Sequence, residues 1–157
     1  MPLDHPHQGA NSAECAARVM DTVPLVMRFI RGDMRSHSAA CLSIPQLRSL
    51  AFLNRNPGAS LSDLAEHLGV TCATASTTIE RLVQRNFVER RDHPQERRRV
   101  VLSLTDEGKY HLQQSLDQTR AHIADILNHL TVEEVTQIEQ GLTLLKNVFE
   151  QTEVKAP

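Results

Sequence analysis

The 157-residue chain has few aromatic side chains, no long apolar run and almost no excess of charge of either sign. Aromatic residues make up 3% of it, with no tryptophan and a single tyrosine, Tyr110. No apolar run approaches the roughly 20 residues that a membrane-spanning helix needs. Residues 1–12 lack the basic-then-apolar pattern of a secretion signal, and we expect them to form a disordered tail. The composition argues against a membrane protein, an exported protein and a largely disordered one.

The cysteines and histidines follow no pattern of a disulfide framework or a metal site. Cys15, Cys41 and Cys72 are widely spaced and odd in number, so a reducing cytoplasm is the simple interpretation. His122 and His129 are seven residues apart, too far to share an ion on one helix. We therefore expect no metal and no other cofactor.

Charge is unevenly distributed along the chain. From Arg81 to Arg99 there are seven arginines and three acidic residues, whereas Thr105–Pro157 has nine acidic and four basic residues. The formal net charge of −2 hides this asymmetry. A basic segment in a slightly acidic chain indicates an anionic partner.

The first half of the chain shows a helical period of apolar residues. An apolar stripe at three-to-four spacing predicts a helix over residues 13–36. Its members are Val19, Val23, Val26, Ile30 and Met34. Ser43–Gln46 is typical of a helix start, because it offers an N-cap, an early proline and a glutamine at the capping-box position. Asn56–Gly58 is typical of that helix's end.

Two further helices are predicted with a very short turn between them. The first covers about residues 62–68, with Ser62 as its N-cap and Gly69 at its C-terminal end. The second begins after Thr71 and runs to about Asn86. Two helices joined by a short turn that contains glycine indicate a helix-turn-helix.

The apolar period changes after Asn86 from that of a helix to that of strands. Phe87–Arg91 and Arg99–Leu104 suit strands, and the polar segment between them contains Pro94, so we expect a β-hairpin with a basic tip. A hairpin that directly follows a helix-turn-helix is a wing. The sequence thus predicts a winged helix-turn-helix DNA-binding domain over residues 43–104.

Amphipathic helices are predicted on both sides of this domain, over residues 13–36 and 105–152. Thr131–Glu134 is a capping box, and the helix it begins has apolar residues spaced as in a coiled coil. These stripes need a surface to cover, and a second copy of the chain is the economical one. We expect a mainly α fold with a small β-wing, flanked by N- and C-terminal dimerisation helices. The expected dimer interface comprises Val23, Ile30, Leu127, Val135, Ile138, Leu142, Leu145 and Phe149.

Residues Ser43–Gly108 resemble the MarR family of transcription regulators. They carry Leu-Ala-x-x-Leu at Leu64–Leu68, Arg-Leu-Val-x-x-Asn-Phe-Val-x-Arg at Arg81–Arg90, a basic wing, and Leu-Thr-x-x-Gly at Leu104–Gly108. In this order and at these spacings the motifs are highly specific. The resemblance implies a homodimeric transcription regulator that binds pseudo-palindromic duplex DNA, and not an enzyme. Most such proteins repress a promoter until an effector or an oxidant releases them.

The same resemblance implies which residues contact DNA. The second helix of the motif would enter the major groove, and Arg98 of the wing would point into the minor groove. The family often has a long basic residue at the position of Thr77 and a polar one at that of Cys72. Because this chain lacks both, it can make fewer bidentate contacts with bases, and we expect part of its sequence specificity to come from DNA shape. The family's wing aspartate is Glu96 here. The expected contacts are Thr71, Cys72, Ala73, Thr74, Ser76, Thr77, Arg81, Arg97, Arg98 and Arg99.

Other functions would leave different features in the sequence. Cys72 would lie at the DNA surface, where its oxidation could block binding, whereas Cys15 and Cys41 are expected to be buried or idle. A protein-interaction module would need an apolar recognition face, and an enzyme would need a paired nucleophile and base or a nucleotide-binding motif, none of which we find. The effector is unknown. In the family, effectors bind a cleft, and candidate lining residues here are Leu25, Met27, Met34 and Leu50.

Overall fold

The computed structural model describes residues 11–37 and 40–153, and within them it has six helices and three strands. The elements are α1 (Ser12–His37), α2 (Ile44–Arg55), β1 (Ala59–Ser60), α3 (Leu61–Leu68), α4 (Cys72–Gln84), β2 (Val88–Asp92), β3 (Val100–Leu104), α5 (Asp106–Leu127) and α6 (Val132–Glu153). Among the described residues, no helix is long and apolar enough to cross a membrane. Residues 1–10 of the expected tail lie outside the described residues, and Ser12 already belongs to α1.

The chain divides into two compact units, one up to Thr119 and one from Arg120 onwards. The first unit contains α1 to α4, the sheet and the beginning of α5. The second contains the end of α5 and all of α6.

Helix α2 begins where its capping box was predicted. The hydroxyl oxygen of Ser43 accepts a hydrogen bond from the Gln46 backbone N–H at 3.3 Å, and the Gln46 side-chain oxygen accepts one from the Ser43 N–H at 2.9 Å. These bonds satisfy two donors that the first helical turn would otherwise leave unpaired.

The predicted start of α3 is wrong by a short distance. Its N-cap is Ser60, not Ser62, because Asp63 stands three residues after Ser60 and completes a capping box. The Asp63 carboxylate accepts the Ser60 backbone N–H at 3.0 Å, and this bond lowers the pKa of Asp63. Gly69 ends α3 in the left-handed conformation, as predicted.

The three strands form an antiparallel sheet of order β1-β3-β2, in which β1 precedes the helix-turn-helix and the β2–β3 hairpin follows it. The hairpin pairs Val88 with Leu104 and Asp92 with Val100, so each wing strand begins one residue later than predicted. Strand β1 was not predicted, because two residues carry no detectable period. Helix α4 ends at Gln84, before the predicted Asn86, which turns the chain with a φ of 59°.

One apolar core holds the first unit together. Its completely buried residues come from α2, α3, α4, β3 and α5, and they include Leu50, Leu64, Ile79, Leu82, Leu102 and Leu112. Truncating any one of these leucines to alanine costs about 2–5 kcal/mol. The core therefore fixes the orientation of α4 and of the base of the wing.

The second unit carries apolar side chains that it does not bury. Helix α6 begins at the predicted Thr131 capping box, where Glu134 accepts the Thr131 N–H at 2.9 Å. Leu142 is 61% exposed and Phe149 is 55% exposed, and Ile138 is exposed as well. Helix α6 therefore carries an exposed apolar surface.

Candidate nucleic-acid interface

Helix α4 buries one face and presents the other to solvent. Thr71 caps it by accepting the Thr74 backbone N–H at 3.2 Å. Ala75, Ile79 and Leu82 point into the core. Of the residues expected to contact DNA, Thr71, Cys72, Ala73, Thr74, Thr77 and Arg81 are exposed and Ser76 is half-buried.

The threonine hydroxyls on the outer face of α4 already donate within the helix. Thr77 donates to the carbonyl of Ala73 at 3.1 Å, and Thr78 donates to that of Thr74 at 3.2 Å. Their oxygens are therefore left as acceptors for the amino groups of adenine or cytosine, while the threonine methyl groups can contact thymine methyls.

A polar cleft of about 340 Å³ lies between the outer face of α4 and the beginning of α2. Its lining residues are Ser43, Pro45, Gln46, Thr74, Thr77, Thr78 and Arg81. Sequence reasoning treated Ser43 and Gln46 only as a helix cap and missed them here. No sequence signal could have found them, because the contact of α2 with α4 creates the cleft.

The wing carries its basic residues at the tip of the hairpin. Arg97, Arg98 and Arg99 are all exposed. Arg99 approaches the Glu96 carboxylate at 4.0 Å, the outer limit of an ion pair. Glu96, at the position of the family's wing aspartate, thus faces Arg99 and not Arg98, and such an exposed pair contributes at most about 1 kcal/mol.

The side chain of His93 lies within the tip. Its Nδ1 accepts the backbone N–H groups of Gln95 and Glu96, both at 3.2 Å. The backbone N–H of His93 donates to the carbonyl of Arg99 at 2.7 Å. The tip is therefore a closed turn built around one imidazole ring.

The three cysteines are all exposed, so Cys15 and Cys41 are not buried, and their expected lack of a function stays a prediction. Cys72 lies in the first turn of α4, with its sulfur 3.9 Å from the Ser62 hydroxyl. Within the described parts of the chain, no group of three or more metal-ligating side chains comes together.

A second cleft, of about 290 Å³, lies between α1 and α2. Of the four candidate residues for an effector cleft, Met27 and Met34 are among its lining residues. Leu50 does not line the cleft, because it is completely buried in the core, and Leu25 is not among the lining residues. Arg31, Arg48 and Arg55 contribute to the lining, as do Phe52 and His67, whose rings stack at 4.6 Å.

The recognition helix, the basic β-hairpin and the shared core together define a winged helix-turn-helix DNA-binding protein. Residues 42–100 match the model of the MarR family. The chain is 28% identical over 119 residues to the uncharacterized HTH-type transcriptional regulator YfiV of Bacillus subtilis, covering 76% of this chain and 74% of YfiV. It is 35% identical over 92 residues to the HTH-type transcriptional repressor MdtR of the same organism, covering 59% of each.

A solved structure has the same fold. Streptococcus pneumoniae FabT in complex with DNA superposes with a TM-score of 0.62 at 22% identity, covering 90% of this chain and 99% of that one. These matches support a MarR-family transcriptional regulator with a DNA-binding winged helix, and such regulators are not enzymes.

Proposed function

We propose that this protein is a homodimeric, sequence-specific repressor that binds a pseudo-palindromic DNA duplex. The observation that carries the proposal is the polar outer face of α4 and the three exposed arginines of the wing, both held by one core. The B. subtilis relative MdtR is named a repressor, and FabT was solved with DNA. Because such a repressor must reach its operator DNA, the proposal also assigns the protein to the cytoplasm.

The two parts of the interface read DNA differently. Thr74, Thr77 and the half-buried Ser76 face base edges in the major groove. Arg98 enters the minor groove, where its charge responds to groove width, while Arg97 and Arg99 approach phosphates. Because α4 offers few bidentate donors, shape readout by the wing supplies part of the specificity.

The cleft between α2 and α4 holds a backbone phosphate. The Gln46 amide nitrogen and the Ser43 hydroxyl keep donors free after the capping box has formed, since the box uses only their oxygens as acceptors. The Arg81 guanidinium supplies a charge at the same cleft. Contacts of this kind fix the register of a recognition helix without reading sequence.

Dimer formation uses the exposed apolar side chains of α6 together with those of α1. Leu142 and Phe149 lie seven residues apart on one stripe of α6, and Ile138 and the half-buried Leu145 are seven apart on the adjacent one. Val23, Ile30, Leu127 and Val135 complete the proposed interface. A two-fold dimer brings two recognition helices to half-sites one turn of DNA apart, about 10 base pairs.

A small-molecule effector that releases the DNA would bind the cleft between α1 and α2. Apolar walls from Met27, Met34 and Phe52 and three arginines among the lining residues suit a small organic anion with an apolar body. Oxidation of the exposed Cys72 remains a second release mechanism, because its sulfur lies in the first turn of α4.

Hydroxyl-radical footprinting on the duplex upstream of the protein's own gene tests the proposal. We expect two protected segments about 10 base pairs apart on one face of the duplex, with two protomers bound per duplex. One protected segment, or one protomer per duplex, would contradict the dimeric proposal. Uniform weak protection would favour a protein-interaction module.

A further inference from the structure

The tip of the wing is held by backbone hydrogen bonds that converge on one side chain. The two N–H groups of Gln95 and Glu96 point at His93 Nδ1, and the Arg99 N–H donates to the carbonyl of Glu96 at 2.8 Å. His93 is half-buried, whereas the arginines around it are exposed. The ring is therefore the centre of the turn and the arginines are its outer surface.

A ring nitrogen can accept these bonds only in the neutral imidazole. In the neutral form with its proton on Nε2, Nδ1 has a free lone pair. In the imidazolium both ring nitrogens carry protons, so Nδ1–H would face the Gln95 and Glu96 N–H groups, donor against donor. Protonation of His93 is thus incompatible with the turn as it stands.

Arg97 and Arg98 lie between the two residues that close this turn, since Glu96 is bonded to the ring and Arg99 to the carbonyl of Glu96. We propose that His93 is a positioning residue for Arg98: the neutral ring closes the wing tip so that Arg98 is presented to the minor groove, and protonation of the ring opens the tip and weakens DNA binding. The inference rests on the proposed role of Arg98 in DNA binding.

The charged groups around the ring come from the hairpin and from α3. Asp92, Glu96 and Arg99 flank His93 in the tip, and on β2 Arg91 pairs with Glu89 at 3.0 Å. Strands β1 and β3 carry no charged residue, and Asp63 of α3 faces Arg99. A proton on His93 would also add a positive charge near DNA, so the opened turn and the added charge act in opposite directions and experiment can separate them.

Two substitutions separate the acceptor from the charge. His93→Asn keeps an acceptor, because its Oδ1 stands where Nδ1 stands and asparagine accepts the N–H two residues ahead in an Asx turn. The asparagine side chain does not titrate, so its acceptor is present at every pH of the experiment. His93→Ala removes both the acceptor and the charge. The matched control is Arg98→Ala, which removes the presented side chain and leaves the turn.

Affinity for one operator duplex is measured from about pH 8 to about pH 5.5 at constant ionic strength. At the upper end we expect wild type and His93→Asn to agree within about twofold and His93→Ala to bind about fivefold more weakly, the effect of losing about one net hydrogen bond. As the pH falls, wild type should approach His93→Ala while His93→Asn stays level. A wild type that binds more tightly than His93→Asn at low pH, or a His93→Ala that binds like wild type at high pH, would overturn the inference.

Nitrogen-15 spectra of the free protein separate a failure of this inference from a failure of the proposed function. At about pH 8 we expect an unprotonated His93 Nδ1 and slowed exchange of the Gln95 and Glu96 amide protons. A protonated His93 Nδ1, or fast exchange of the Gln95 and Glu96 amide protons, would overturn the inference but would not contradict the proposed DNA-binding site. If Arg98→Ala binds like wild type, the wing contact itself is absent and the inference falls with it.

Discussion

Gly108, in the first turn of α5, lies directly against the backbone of Phe87 at the base of the wing. A β-carbon on Gly108 would stand 2.1 Å from the Phe87 carbonyl oxygen. That oxygen accepts the Thr105 N–H at 3.1 Å, and the Thr105 hydroxyl accepts the Gly108 N–H at 3.0 Å. The Thr105 and Gly108 positions of the Leu-Thr-x-x-Gly motif thus hold the first turn of α5 against Phe87, the residue that precedes β2.

Substitution of Gly108 by alanine should destabilise the fold. The added methyl group meets backbone, which cannot swing aside, so the Phe87 segment or the start of α5 must move, at a cost of about 1–3 kcal/mol. Urea unfolding should show a lower midpoint with an unchanged slope. Gly32→Ala is the control, because a β-carbon there meets nothing within 4 Å and alanine favours the helix. Equal stability of the two variants would mean that the contact at Gly108 is not tight.

Arg98→Ala should weaken operator binding about tenfold and lower the slope of log affinity against log salt by about one. One arginine contact in the phosphate region is lost, and with it about one released counterion. Fluorescence anisotropy at several salt concentrations measures both quantities. Arg18→Ala removes the same charge from an exposed position of α1 and should leave the slope unchanged. An unaltered slope in Arg98→Ala would remove Arg98 from the interface.

Replacing Leu142 and Leu145 by glutamate should give monomers that fold but no longer bind the operator. Leu142 is 61% exposed in a single chain, so a charge there costs the folded protomer little, whereas in a dimer interface it would be buried without a partner. Light scattering gives the mass and circular dichroism the helix content. Gln140→Glu adds a charge at an exposed polar position of α6 as a control. A double variant that is still dimeric would contradict the proposed interface.

Part of the stability of the helix-turn-helix should depend on pH through Asp63. Its pKa is lowered, chiefly by the hydrogen bond from the Ser60 backbone N–H and then by that from the Ser60 hydroxyl. A carboxyl group whose pKa is lower in the folded state stabilises the fold above its unfolded pKa of about 3.9, and this stabilisation is lost as the pH falls through the folded pKa. Urea unfolding between about pH 6 and about pH 2 should therefore show a smaller acid loss in Asp63→Asn than in wild type. Identical pH profiles for the two proteins would contradict the capping box.

The sequence predicted those features that local patterns encode. The helical period of Ala75, Ile79 and Leu82 predicted α4 and its buried face, and the remaining residues of the helix therefore form its outer face. The capping box of Ser43 and Gln46 gave the start of α2. The predicted N-cap of α3, Ser62, is wrong because two serines stand close together. Only the first of them, Ser60, is followed three residues later by a carboxylate, that of Asp63.

The rest depends on contacts between distant residues. Strand β1 exists because Ala59 pairs with Leu102, and a two-residue strand carries no period of its own. Ser43 and Gln46 lie beside the outer face of α4 only because α2 packs against α4. The turn around His93 is an irregular loop in which a side chain replaces a backbone acceptor, and neither period nor composition records that.

The account's central claim is that the chain binds a specific duplex as a regulator, and affinity for two duplexes tests it most directly. Fluorescence anisotropy would compare the duplex upstream of the protein's own gene with an unrelated one at several salt concentrations. The account predicts tight, steeply salt-dependent binding to the first and binding at least about a thousandfold weaker to the second. Equal, weak binding to both, persisting across other candidate operators, would contradict it.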